Sequence, residues 1–191
     1  MKPIKGFENF QSYSDTKKLP AGGYVCRILD AKEAESDWGN RLEIAFDISE
    51  GEYAGYYKAN FASQKKDGTE KWKGVLRLTV PEDESSQYFD GQCKALKTAI
   101  EAIEESNPGY AWDWNEKGLK GKEVGAIFRD QEWSFNGRTG MTAQCYGFRD
   151  VEKVREGDFR VPEPKYLNPQ NAADDVDLSA YQDMPDDNLP F

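Results

Sequence analysis

From Gly23 the chain alternates apolar and polar positions with the period of two that marks β-strands. Tyr24, Cys26 and Ile28 alternate with Val25, Arg27 and Leu29, and because both sets are largely apolar, this segment is expected centrally in a sheet. The turn-forming stretch Asp37-Trp38-Gly39-Asn40 follows, and Leu42, Ile44, Phe46 and Ile48 then alternate with Arg41, Glu43, Ala45 and Asp47. That pattern predicts a strand with one buried face, paired with the first as a hairpin and presenting Glu43 and Asp47 outward. Glu50-Gly51-Glu52 turns the chain into a third predicted strand over residues 54–62, carrying Tyr56, Tyr57 and Phe61. Residues 75–80 predict a short further strand ending at Pro81. One helix follows: Asp90 is placed to cap it, Leu96, Ile100 and Ile103 recur at helical spacing, and Asn107-Pro108-Gly109 stops it. Two strands come last, over 123–135 and 141–148, joined by the loop Asn136-Gly137-Arg138-Thr139-Gly140.

Taken coarsely, the order is three strands, a helix and two strands. That is the topology of the OB-fold, a mainly β, five-stranded Greek-key barrel whose helix lies between strands three and four. An α+β sandwich, with the helix covering one open sheet, is the alternative. OB barrels bind oligonucleotides on the face of strands two and three, framed by the loops joining strands one to two and four to five. Here those regions hold Trp38 and Arg41; Tyr53, Tyr57, Lys58 and Phe61; Lys65, Lys66, Lys71, Trp72 and Lys73; and Trp133, Phe135 and Arg138. Aromatic rings stack on bases without reading sequence, while Lys and Arg follow phosphates, so this mixture points to a single-strand groove. Some of these aromatics are expected to fill the barrel instead. Outward Glu43 and Asp47 would repel phosphates, which moves the expected DNA path toward the loops.

The 191 residues, 38% of them hydrophobic, have room for one packed domain, expected over residues 1–160, followed by a disordered acidic tail over 161–191. The net charge of −10 argues at first against a nucleic-acid partner, but residues 161–191 hold seven acids against Lys165, so the preceding 160 residues carry only −4. Histidine is absent, which removes the commonest general base and metal ligand. Cys26, Cys93 and Cys145 are odd in number and widely spaced, so they read as small buried hydrophobes, with no disulfide framework or zinc site. Carboxylate pairs such as Asp113 with Glu116, or Asp30 with Glu33, could hold Mg²⁺, but chance pairs are expected among 35 acids. No Gly-x-x-x-x-Gly-Lys-Ser/Thr loop is present. The expectation is therefore a non-enzymatic protein without cofactor or bound metal. With no long apolar run it should be soluble and cytoplasmic and make no membrane contact. A homo-oligomer is compatible with the sequence. The connector 107–114, Asn-Pro-Gly-Tyr-Ala-Trp-Asp-Trp, is unusually aromatic and is expected to pack at one end of the barrel or to offer a further stacking surface.

The C-terminus is the most specific feature. Asp186, Asp187, Leu189, Pro190 and Phe191 closely resemble the acidic tip of bacterial single-stranded DNA-binding proteins. In that family the terminal Pro-Phe enters an apolar pocket on a partner enzyme, while the α-carboxylate and upstream Asp residues meet a basic rim. Asn188 and Leu189 stand where the family usually has Asp and Ile. The body resembles a different group, proteins encoded by bacteriophages and prophages, in stretches such as Lys5-Gly6-Phe7-Glu8-Asn9-Phe10 and Glu104-Glu105-Ser106-Asn107-Pro108-Gly109-Tyr110. Together these resemblances imply a phage or bacterial replication or recombination protein. Its body would hold single-stranded DNA, and its tip would recruit replication, repair or recombination proteins through Asp186, Asp187, Leu189, Pro190 and Phe191. The rival reading is a protein-interaction module that binds no DNA and carries the acidic tail for solubility.

Overall fold

The computed structural model describes residues 3, 5, 17–36, 39–64 and 68–167. Its elements in chain order are β1 (Gly22–Ala34), β2 (Arg41–Ile48), α1 (Tyr56–Ser63), β3 (Val75–Thr79), α2 (Phe89–Ser106), a 3-10 turn (Glu116–Leu119), β4 (Glu123–Phe135), β5 (Arg138–Arg149) and α3 (Val151–Glu156). The strands form one antiparallel sheet in the order β3-β2-β1-β4-β5, with β3 and β5 as its edges. The architecture is mainly β, as expected, but the sheet is open and three α-helices accompany it where one was predicted.

β1 is central, between β2 and β4. Its pairing with β2 slips between Ile28 and Asp30, leaving Leu29 as an extra residue. The bulge bends the strand and shifts its phase, so Cys26 and Ile28 face the core before it and Ala31 faces the core after it. A second slip, between Ile127 and Phe128 of β4, makes Tyr146 of β5 the extra residue. The sheet curls enough that Phe46 of β2 meets Phe148 of β5, three strands away, edge to face at 5.8 Å, and Phe128 at 6.1 Å. Ala99, Ile100, Ala102 and Ile103 of α2 bury themselves against this cluster. On the opposite side of β1 and β4, Val25 and Ile127 pack against Val151 and Val154 of α3 and against Phe159.

The predicted third strand over 54–62 is helix α1, and β3 takes its place in the sheet. Tyr56, Tyr57 and Phe61 suit a strand locally, but a distant carboxylate decides the outcome. The N-cap of α1 is Gly55, which has no side chain to satisfy the first N–H groups. Asp47 of β2 supplies it: Oδ1 accepts from the N–H of Ile48 and of Tyr57, both at 2.9 Å, and Oδ2 from that of Lys58 at 3.1 Å. Asp47 is therefore buried instead of outward, and it adds no charge to the open face of β2.

Other boundaries move for local reasons. Asp90 lies in the first turn of α2, favourable to the helix dipole, but Tyr88 is the N-cap. At the other end of the helix, the Asn107 amide donates to the carbonyls of Ile103 and Glu123, both at 2.7 Å, and accepts from the Glu123 N–H, tying the helix to the start of β4. The last hairpin closes with only Asn136 (φ 50°) and Gly137 (φ 72°), so residues 138–140 belong to β5 and not to a loop. Asp150 caps α3 by accepting from the N–H of Glu152 and Lys153. Past α3, Lys165 exchanges backbone hydrogen bonds with Asp130 and Glu132, so residues up to Leu167 run along the free edge of β4. No helix among the described residues is long and apolar enough to cross a membrane.

Replacing Asp47 by Ala would leave three N–H groups without their acceptor. The expected loss is about 2–4 kcal/mol of unfolding free energy in urea titration, and a loss under about 0.5 kcal/mol would contradict this assignment.

Candidate nucleic-acid interface

The register of β1, β2 and β3 lays their outward side chains out as a grid. Asp30, Ala45 and Val75 form one row, Lys32, Glu43 and Arg77 the next, and Ala34, Arg41 and Thr79 the third. Small side chains in the first row leave a depression beside the charged second row. The result is a groove of about 490 Å³ whose far wall is Lys71 and Trp72, from the segment leading into β3. The Trp72 indole N–H donates to the carbonyls of Phe46 (3.0 Å) and Gly74 (3.1 Å), which fixes the ring against the sheet. Phe61, on α1 and 40% exposed, lies 5.8 Å from it. In the charged row, Glu43 binds Arg77 Nε at 2.9 Å and Lys32 Nζ at 3.6 Å.

Val75 and Arg77 also line a second groove, of about 170 Å³, which separates the edge of β3 from the β4–β5 hairpin. Its other wall includes Arg129, Gln131, Gln144 and Tyr146, with the Arg129 guanidinium over the Tyr146 ring at 4.8 Å. Burial pushes the Cys145 thiol up, so it lines this groove as a neutral group. By strand alternation, Trp133 and Phe135 share a face with Arg129 and Gln131, whereas Asp130 and Glu132 take the other face. Beyond Phe128 these strands leave β1 and continue as a hairpin arm. The indole of Trp133 lies across Gly140 so closely that a β-carbon there would stand 2.9 Å from the ring. Trp133 remains 41% exposed and Phe135, near the tip opposite Arg138, 70%.

The two grooves and the arm form one strip, running from Lys71 and Trp72 over Arg77 to Arg129 and Tyr146, and on to Trp133, Phe135 and Arg138. From Arg129 to Phe135 alone it covers about 20 Å of strand. Along it Lys32, Lys71, Arg77, Arg129 and Arg138 outnumber Asp30 and Glu43. The strip is thus locally cationic on a body whose sequence is net negative.

Of the residues singled out from the sequence, Lys71, Trp72, Trp133, Phe135 and Arg138 lie on this strip. Phe61 adjoins Trp72, Lys73 is exposed just after it, and Arg41 sits in the third row of the grid. Lys58 is exposed on α1. Tyr57 is a correction: it is 7% exposed, edge-on to Phe46 at 5.7 Å, and its hydroxyl is pushed well above the usual tyrosine range by burial, so it cannot stack on a base. Tyr53 is half-buried against Tyr24 and Tyr56. Trp38, Lys65, Lys66, Asp186, Asp187, Leu189, Pro190 and Phe191 lie outside the described residues. Lys32, Arg77, Arg129 and Tyr146 were not anticipated. The spacing of two between Arg129, Gln131, Trp133 and Phe135 was the readable signal for one of them; the others depend on register across strands.

In the aromatic connector, Tyr110 and Trp112 pack against the core, with Lys122 Nζ over the Tyr110 ring at 4.4 Å. Trp114 stands out at 79% exposure with φ 65°, its ring 6.3 Å from that of Trp112. Asp30 and Glu33 fall on opposite faces of β1, and Asp113 accepts from the Asn115 N–H. Among the described residues no three His, Cys, Asp or Glu side chains gather as a metal site. No family model matches the chain, and no curated protein matches it.

Proposed function

We propose that the protein binds single-stranded DNA without sequence preference along the strip from Lys71 to Arg138, and that its C-terminal tip recruits DNA-processing proteins. The observation that carries this reading is the interleaving of cations with aromatic rings on one face, Trp133 and Phe135 exposed and Trp72 and Tyr146 half-buried. Cations follow a phosphate backbone, while the exposed rings of Trp133 and Phe135 offer π-faces that any base can meet. The placement of Trp72 and Tyr146 in grooves and of Trp133 and Phe135 on a two-stranded arm favours a flexible single strand over a duplex. The strand order, with α2 between β3 and β4, supports an OB-type barrel left open between β3 and β5. The strip follows the strand-two and strand-three face and the strand-four to strand-five hairpin that such folds use.

The residues beyond Leu167 carry six Asp and no Lys or Arg. Their tip resembles that of bacterial single-stranded DNA-binding proteins, and a chain-terminal aromatic with its own carboxylate is a ligand readable only at an end. The second reading, a module for docking another protein, is favoured by Trp114, which lies in the connector and outside the strip.

Three outcomes follow for fluorescent oligo-dT titrated at several salt concentrations. Arg77→Gln with Arg129→Gln should weaken binding about tenfold at low salt and flatten the logarithmic salt slope by about 0.7 per lost phosphate contact. Trp133→Ala or Phe135→Ala should cost about 1–3 kcal/mol each while leaving that slope unchanged, since stacking releases no counterions. Removing residues 183–191 should preserve or slightly tighten DNA binding and abolish pull-down of host DNA-processing proteins, as should Phe191→Ala alone. Loss of DNA binding with partners retained would reverse the assignment of body and tail.

A further inference from the structure

Glu43 stands at the centre of the groove's charged row, between a cation on each neighbouring strand. It binds Arg77 Nε on one side at 2.9 Å and Lys32 Nζ on the other at 3.6 Å. Its neighbour on the same face, Asp47, is drawn inward by three backbone N–H groups, so Glu43 is the carboxylate that β2 keeps on its open face. Both cations are more than half exposed and Glu43 is 25% exposed. In such a setting the pairs themselves contribute little stability, yet a phosphate reaching either cation must approach within a few ångströms of the carboxylate.

We infer that Glu43 is an affinity-limiting counter-charge: it occupies, as an internal substitute for phosphate, the Lys32 and Arg77 cations that a DNA backbone in this groove would use. This rests on the reading of the strip as a single-strand interface. Lys71, on the facing wall, has no carboxylate within ion-pair distance among the described residues, so a strand entering the groove meets one uncommitted cation and two held ones. Asp30, on β1 in the same groove, adds a second negative charge but bridges no cation of the row. The consequence is a binder that holds DNA more loosely than its cations would allow and releases it more readily.

The test is Glu43→Gln, which keeps size and removes charge, measured with oligo-dT against salt. Glu101→Gln serves as control for net charge, because Glu101 pairs with Lys97 on α2 and lines neither groove. Glu43→Gln should bind about three- to tenfold tighter at low salt, with a slope steeper by about 0.7 per newly engaged phosphate. Glu101→Gln should match the native protein. In an Arg77→Gln background the gain should shrink, which keeps the inference testable through a double-mutant cycle even if one variant shifts stability. Equal tightening by both Gln variants, or an unchanged or weaker Glu43→Gln with the native protein binding normally, would overturn the role of Glu43. Absence of binding by native protein and variant alike at low salt would overturn the single-strand reading itself.

Discussion

The buried carboxylate of Asp47 holds two parts of the structure in place at once. By accepting from the N–H groups of Tyr57 and Lys58, as well as from Ile48 in β2, it starts α1 at a glycine that cannot cap itself, in a sequence rich in β-formers. The chain then returns through Lys71 and Trp72 to form β3 on the edge of β2, which sets the wall of the larger groove. The same bond removes a negative charge from the outward face of β2. With Asp47 exposed, that face would carry two carboxylates along its length.

The distribution of charge, more than its sum, decides what partner the body suits. A net charge of −10 describes a molecule that should avoid polyanions. Within about a Debye length of 8 Å at physiological salt, however, a strand on the strip would meet Arg77, Arg129, Lys71 and Lys32, with Asp30 and Glu43 among them, before it met the acids of distant helices. Strand alternation strengthens this separation, since Asp130 and Glu132 share β4 with Arg129 and Trp133 but face the other way.

Much of the fold was legible because hydrophobic alternation is local. β1, β2, β4 and the long helix lie close to their predicted places, and Glu123–Phe135 has the predicted bounds. What failed was long-range or fine-grained. The capping of α1 comes from ten residues upstream, outside any local window, so Tyr57 was placed on a groove when its ring fills the core. The hairpin needs two turn residues and not five, because Asn136-Gly137 forms the whole turn. Helix α3 carries a local signature, Asp150 before it and Gly157 after it with apolar Val151 and Val154 between, but at six residues it is too short for hydrophobic periodicity to mark it. In the candidate site, aromatic residues stood out by type, whereas Lys32 and Arg77 gain meaning only once register sets them on either side of Glu43.

If one strip receives a single strand, amide chemical-shift mapping of the isotope-labelled protein during titration with oligo-dT should show it. Shifts should concentrate on residues 71–77, 129–135 and 138–146, with α2 and the connector around Trp114 silent. Shifts centred on residues 110–122, or spread evenly over the basic side chains of the whole body, would contradict it.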